Sequence, residues 1–366
     1  MSSAGATLQG SFAGATGRIY ETGFYYGTSS NNLAQKITTD GTNDSDGTFY
    51  CNLSSLSSET KYYYKAYVLE YNASTGQYVE RLASNVKSFT TAKQVQMAYQ
   101  SGWLELPALK GDEDYFGYFY GSGGSTDDNR NYSYNYSYSL YASLWVAYPL
   151  KYEHKNGSAS TSTWRFNPQF GSAYQVDMTG SSYPTMYGAS SYSKGHQCPS
   201  ADRKSDQDMN TQTYYVTNQT PQIQTGFNGS IWSSLEDAER ALVTSEGDIV
   251  YVVTGPAYDD EESATYIYGA SGKDAFPSRL RVPDHYWKAF LKVRWSGNQI
   301  QSASTIAFWF DHKVYDNSDY TACIKSVNYI EQMTGFDLFA NLPGDNDSGI
   351  EHDAETNTNW TTFKNF

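Results

Sequence analysis

Stretches in which apolar and polar positions alternate dominate the first quarter of the chain: ATLQGSF (6–12), IYETGFYYG (19–27), TFYCNL (48–53), YYYKAYVLEY (62–71) and VKSFTT (86–91). In the fourth, Tyr62, Tyr64, Ala66 and Val68 share one face, the two-residue period of a half-buried strand. Five short strands at this spacing predict an all-β, immunoglobulin-like sandwich over residues 1–92. Composition shifts along TTAKQVQMAYQSG (90–102), so residues 93–102 are expected to be a linker. WLELPAL (103–109) then opens a second domain, expected to run over 103–366.

The second region mixes patterns. GSGGSTDDNR (121–130) is a polar turn, and the segment after it puts Tyr132, Tyr134, Tyr136 and Tyr138 on one strand face. That stripe either offers a stacking surface for bases or sugars, or packs against neighbouring strands; packing is the reading adopted. DIVYVVTGPAY (248–258), HYWKAFLKVRW (285–295) and STIAFWF (304–310) read as strands, and SVNYIEQMTGFDLF (326–339) as a helix ended by Gly335. NTQTYYVTNQTPQ (210–222) predicts a short strand with Tyr214 and Val216 on one side, then Asn218 and a proline turn. In FNGSIWSSLEDAERALV (227–243), Ile231, Leu235, Ala238 and Leu242 form the apolar face of an amphipathic helix, with Asn228 at the N-cap position. The expected class is α+β, with a mixed or antiparallel central sheet.

Composition narrows the picture. The 366 residues include 35 tyrosines and are 39% hydrophobic, enough for real cores. No run of about 18 apolar residues is present, so no membrane-spanning helix is expected. The start has neither the basic nor the apolar segment of a signal peptide. A chain whose signal has been removed, hence secreted, periplasmic or cell-surface, is the expectation adopted over a cytoplasmic one. Three cysteines, Cys51, Cys198 and Cys323, fit neither a disulfide scaffold nor a zinc site; at most Cys198 pairs with Cys323. The net charge is −14, with 6 basic and 7 acidic residues in 1–92 against 19 and 32 in the remainder. Such acidity disfavours a nucleic-acid partner unless a local basic patch or a bound cation offsets it.

Candidate chemistry gathers around YSKGHQCPSADR (192–203). A neutral histidine, His196, is able to take a proton from water near pH 7. The amide oxygen of Asn228 is a hard ligand suited to Mg²⁺, which keeps most of its waters. Glu236 lies eight residues on, roughly 12 Å along a helix, and reaches such an ion only through water. Arg240 stands one turn further, placed to fix that carboxylate or to meet a phosphate. Taken singly, each has a structural reading: a packed histidine, a helix cap, a solvated ion pair. His285 is expected to pack against its strand neighbours, while His154, His312 and His352 sit in polar surroundings.

The ordered segments KGHQCPSADR, TYYVTNQTPQ, FNGSIWSSLEDAER and VNYIEQMTGFDLF resemble, in order and spacing, the non-specific DNA/RNA endonuclease family that includes endonuclease G, whose site is the ββα-metal (His-Me finger) motif. The resemblance runs over about residues 100–345. It implies that His196 activates the attacking water and that Asn228 is the sole direct protein ligand of Mg²⁺, with Mn²⁺ a possible replacement. It also implies that Glu236 holds metal-bound water, Asn218 orients the histidine loop and Arg240 contacts phosphate. Lys194, Arg165 and Arg203 are the expected substrate contacts. Two positions depart from the family pattern. Before the histidine stand Ser193, Lys194 and Gly195 in place of Asp-Arg-Gly, and lysine keeps the charge without the bidentate fork. An arginine two residues before the tryptophan of STSTWRFNP is replaced by Ser162, with Arg165 just after Trp164.

A second, weaker resemblance covers the first domain. Leu56, Thr60 and Tyr62 match the Leu-x-x-x-Thr-x-Tyr end of the fibronectin type III pattern, in which the tyrosine anchors a sandwich corner. The implied whole is a Mg²⁺-dependent, sugar-non-specific endonuclease acting on DNA and RNA and leaving 5′-phosphate ends, with a fibronectin-like module ahead of it. Two alternatives stand beside this: a nuclease-like fold that binds nucleic acid without turnover, and a surface glycan-binding protein using the tyrosine-rich strands.

Overall fold

The structure is a computed structural model describing residues 6–13, 18–39, 47–53, 56, 60–91, 97–111, 114–345 and 348–366. It divides into two compact units, Met1–Val95 and Gln96–Phe366.

The first unit contains β1 (Ala6–Ser11), β2 (Arg18–Gly27), β3 (Gln35–Thr38), β4 (Thr48–Leu53), β5 (Lys61–Asn72), β6 (Gln77–Leu82) and β7 (Lys87–Thr90). β1 pairs with β4, while β2 lies between β3 and β5. β5 is long enough to pair with β7 at its start and β6 at its end. Leu8 and Phe49 from the first pair meet Phe24, Val68 and Phe89 from the larger sheet in one core. The face expected to be buried on β5, Tyr62 to Val68, is the core face, and Tyr62 stacks on Phe89 at 5.7 Å. β3 and β6 were not legible in the sequence. β6 is exposed at all six positions, and an edge strand with no buried face carries no alternation.

The second unit is built on a seven-stranded antiparallel sheet. Its strands are β8 (Tyr115–Tyr120), β9 (Arg130–Ser137), β10 (Ala142–Lys151), β13 (Ile249–Ala257), β16 (His285–Ser296), β17 (Gln299–Asp311) and β18 (Ile324–Lys325). They lie in the order β18-β17-β16-β13-β10-β9-β8. Short helices α1 (Tyr152–Lys155), α2 (Tyr183–Tyr187) and α3 (Gln207–Thr213) occupy the long excursion after β10, together with the separate pair β11 (Tyr192–His196) and β12 (Gln219–Ile223). α4 (Ser233–Arg240) follows, then the small pair β14 (Tyr266–Tyr268) and β15 (Arg279–Arg281), and finally α5 (Val327–Thr334), α6 (Ile350–Glu355) and α7 (Trp360–Asn365).

Both faces of the sheet are covered, which is why its strands read as near-continuous apolar runs. On one face Trp145, Val253, Trp287 and Ala307 pack against Val327 and Ile330 of α5 and against Leu338 and Phe339. On the other, Tyr286 and Phe310 meet Phe227 and Trp232 from the approach to α4, and Phe290 meets Phe363 of α7. All eight residues of β9 are buried. Tyr132 and Tyr136 spend their hydroxyls on the carbonyls of Gln212 and Tyr174, and Tyr134 donates to Gln169 Oε1. The tyrosine stripe is therefore interior, and offers no stacking surface to bases or sugars.

Several expectations are corrected here. Residues 97–102 belong to the second unit rather than to a linker: the Met97 amide donates to the Phe116 carbonyl, and Tyr99 packs on the main core. The rest of the predicted linker, 93–96, lies outside the described residues. Of the strand expected near 210–216, the residues up to Thr213 belong to α3, which Asp206 caps by accepting from the Met209 amide, and Val216 opens a single 3-10 turn. Pro221 sits within β12 opposite Lys194 rather than in a turn; in a two-stranded pair the missing N–H falls on an edge. Asn228 caps no helix. The helical path bends at Thr225, Gly226 (φ +81°) and Gly229, so regular α-helix starts only at Ser233 and its buried face becomes Ile231, Trp232, Leu235, Glu239 and Val243. Cys198 and Cys323 form no disulfide, and all three cysteines are buried.

Candidate active site

His196 closes β11, opposite Gln219 of β12. One residue earlier a side chain has no room: a Cβ on Gly195 would come within 2.2 Å of Gln222. The Gln222 amide is wholly buried, and neither its oxygen nor its nitrogen has a hydrogen-bond partner. The imidazole of His196 lies between Trp164 and Tyr214, each 4.8 Å away between ring centres. Its Nε2 is buried without a partner. Burial, reinforced by the nearby Lys194 charge, pushes its pKa down to about 4, so the ring is neutral at pH 7.

Lys194 points to the same aromatic ring. Its Nζ lies 4.9 Å from the Trp164 ring centre and donates to the carbonyls of Met178 and Ser181. Burial lowers its pKa to about 8. Two of three ammonium donors thus tie down the 178–181 loop, which leaves one for a substrate.

Asn218 immediately precedes β12 and is fully buried. Its Oδ1 accepts from the Cys198 amide, and its Nδ2 donates to the carbonyls of Cys198 and Thr213. The Asn218 carbonyl accepts in turn from the Gln197 amide. One side chain therefore fixes the backbone immediately after His196.

Asn228 adjoins β11 through Ser193: its Nδ2 donates to Ser193 Oγ at 2.9 Å and to Gln224 Oε1 at 3.1 Å. With both N–H groups used, the amide oxygen is left as an acceptor. Glu236, half-buried on α4, is pushed up to about 7, first by burial. Arg240 does not bond Glu236. Its two terminal nitrogens donate to Asp202 at 2.9 Å and to Asp237 at 2.6 Å. Asp202, Glu236 and Lys288 each have their ionisation shifted by charged neighbours in this group, Glu239 among them. Glu239 accepts from Lys288 at 2.8 Å and from the Tyr148 hydroxyl at 2.7 Å, all three fully buried. Sequence reasoning missed Asp202, Glu239, Lys288 and Gln222; the alternation of β16, which places Lys288 on a buried face between Tyr286 and Phe290, was the available signal.

Of the expected substrate contacts, Arg165 has an exposed side chain, while its backbone bonds Tyr214 and Val216 beside His196. Arg203 is corrected. It is fully buried, stacks 4.9 Å from the Tyr148 ring centre and donates to both oxygens of Asn131 and to the carbonyls of Asp202 and Pro149. Four of its five N–H donors are used inside the protein and the side chain is fully buried, so Arg203 does not face a phosphate. Among the described residues no group of three His, Cys, Asp or Glu side chains gathers to hold a metal. The donor set nevertheless fits one weakly dehydrated hard cation: a single amide oxygen whose orientation is fixed by the two bonds of its own Nδ2.

A model of the family described as DNA/RNA non-specific endonuclease matches residues 111–345, which contain every one of these side chains. A nuclease of Nostoc is 31% identical over 219 residues, covering 56% of this chain and 75% of that one. A nuclease of Serratia marcescens is 30% identical over 204 residues, covering 55% and 70%. A mitochondrial nuclease, Nuclease 1, of Schizosaccharomyces pombe is 31% identical over 165 residues, covering 44% of this chain and only 50% of its own length. The chain belongs to the DNA/RNA non-specific endonuclease family.

Proposed function

We propose that this protein hydrolyses phosphodiester bonds in both DNA and RNA, with Mg²⁺ or Mn²⁺ as cofactor, and leaves 5′-phosphate ends. The observation that carries this reading is His196: a neutral imidazole with an unpartnered buried nitrogen, at the end of a strand joined through Ser193 to the Asn228 turn. His196 takes the proton of the attacking water. Asn218 holds the loop behind it, so the ring does not swing away as the proton arrives. Asn228 Oδ1 would hold the metal directly, and Glu236 would hold it through water. The cation, when bound, stabilises charge on the phosphate and on the leaving 3′-oxygen. Arg240, held by Asp202 and Asp237, keeps α4 and its carboxylate in place as well as adding positive charge. Arg165 and the free donor of Lys194 are the phosphate contacts. No element supports base-specific reading, in keeping with non-specific cleavage.

The first unit, with two sheets around one core, fits a fibronectin type III-like module, and such modules space or dock their neighbours. A secreted or surface location is part of the same proposal.

The test is degradation of plasmid and of RNA with Mg²⁺, with EDTA, and by His196→Ala. Cleavage should vanish with EDTA and fall about 10²–10⁴-fold in the variant, the usual worth of a positioned base. Cleavage that survives either control would sink the assignment. Tight binding of intact substrate under every divalent metal would favour a nuclease fold kept for binding alone.

A further inference from the structure

Beyond the Asn228–Gln224 side-chain bond, the turn that carries Asn228 has little of its own to hold it. Thr225, Gly226 and Gly229 all depart from helical backbone angles, so regular helical bonds do not stiffen residues 224–229. Support arrives from outside, and much of it from the four residues that follow β17. His312 Nε2 accepts from the amide of Ile223, the last residue of β12, at 2.8 Å. The other ring nitrogen, Nδ1, is 2.8 Å from the Pro283 carbonyl. A carbonyl only accepts, so Nδ1 carries the proton and Nε2 is free to receive the Ile223 N–H: one neutral tautomer satisfies both bonds. Three residues on, the Tyr315 amide donates to the Gly226 carbonyl at 3.1 Å. Val314 fills the space where a Cβ on Gly226 would stand, 2.6 Å from it. Phe227, next to Asn228 and fully buried, packs its ring 5.1 Å from His312 and 6.2 Å from Tyr315. On the other flank His312 lies 5.9 Å from Tyr192 at the start of β11.

We propose that His312 is a positioning residue of the active site, fixing the Asn228 turn so that its amide oxygen is presented to a divalent cation; this rests on the metal-dependent reading above. The surroundings expected for His312 from sequence were polar and without a role. Instead it joins three strands, β12, the end of β17 and the approach to β16, at the base of the turn. It acts only through Asn228.

A pair of variants separates positioning from general support. In His312→Gln the side-chain oxygen reaches about as far as Nε2 and keeps the acceptor for Ile223, while the Pro283 bond is lost. In His312→Asn the amide nitrogen stands near Nδ1 and keeps the Pro283 bond, while the Ile223 bond is lost. The readouts are Mg²⁺ and Mn²⁺ affinity by calorimetry on the full chain without substrate, melting temperature, and plasmid cleavage. His312→Asn should bind metal roughly 10–100-fold more weakly, as loss of an outer partner of a metal ligand does. His312→Gln should stay near the wild type, with melting temperatures of the two variants close together. Wild-type metal affinity in His312→Asn, or equal loss in both variants tracking a shared drop in melting temperature, would overturn the proposal while leaving the nuclease reading intact. A wild-type protein that binds neither ion and cuts nothing would overturn both.

Discussion

Trp164 and Tyr214 pack their rings against His196, and that burial, more than any charged neighbour, keeps its pKa near 4. Removing Trp164 admits water to one face. In Trp164→Ala the pKa should climb toward the ordinary value of about 6.5, followed as the His196 ring-proton shift in an NMR titration. In the wild type that resonance should not move between pH 5 and 8. An unchanged titration in the variant would refute the role given to burial. The stability consequence has a definite sign. Because the folded pKa lies below the unfolded one, the unfolded chain takes up the proton first, and stability is lost as pH falls from about 6.5 to about 4. At this scale the order was legible: a histidine before Gln-Cys-Pro, an asparagine 22 residues on and another ten beyond that, as the proposed chemistry needs. Arg203 was not legible, because nothing near it in sequence announces that Asn131 and Pro149, more than fifty residues away, would consume its donors.

The docking of α4 decides where Glu236 and Arg240 stand, and that docking is partly ionic. Lys288 from β16 and Glu239 from α4 form a fully buried pair at 2.8 Å. Lys288→Met leaves a carboxylate uncompensated in the interior and should cost about 3–5 kcal/mol in urea unfolding. Adding Glu239→Leu should restore most of that loss, since a buried pair replaced whole by apolar side chains is often neutral. A single variant as stable as the wild type would show that Glu239 escapes its charge by another route. The apolar period of this helix was read correctly in kind and wrongly in phase. A straight helix from Asn228 puts Ala238 and Leu242 inward, whereas the bend at Gly226 restarts the helix at Ser233 and turns Glu239 inward instead. Propensity patterns cannot register a break whose cause, the 312–315 segment, is some ninety residues downstream. Edge strands β3 and β6 escaped notice for the opposite reason, having no buried face to pattern.

Across the whole molecule, acidity is distributed unevenly in depth as well as along the chain. Glu331, Asp337, Glu351 and Glu355 face one another at the C-terminal end of the second unit, with Glu355 almost fully buried. Burial first, then the three neighbouring carboxylates, pushes Glu355 up to about 9. A raised folded pKa means the native state holds a proton that the unfolded chain has already lost. Stability therefore falls as pH rises from about 4.5 toward 9. Glu355→Gln, which mimics the protonated acid, should raise the melting temperature at pH 8 and change it little at pH 4.5. Equal effects at both values would contradict the linkage. The alternating strands of the first unit and the apolar runs that form antiparallel strands in the second were readable beforehand. The tyrosine stripe of β9, expected to pack, is interior; a buried lysine and a buried arginine were not readable, since burial of charged groups is settled by partners that only folding brings together.

The amide of Asn218 that braces the residues after His196 has a consequence for reagents rather than substrates. It seals Cys198, whose thiol is pushed up to about 12, chiefly by burial. A sulfur so protonated and enclosed is inert to alkylating agents while the loop stays shut. Modification of Cys198 then proceeds at the rate at which this one loop opens, so the protein carries its own clock for the breathing of the strand that ends at His196.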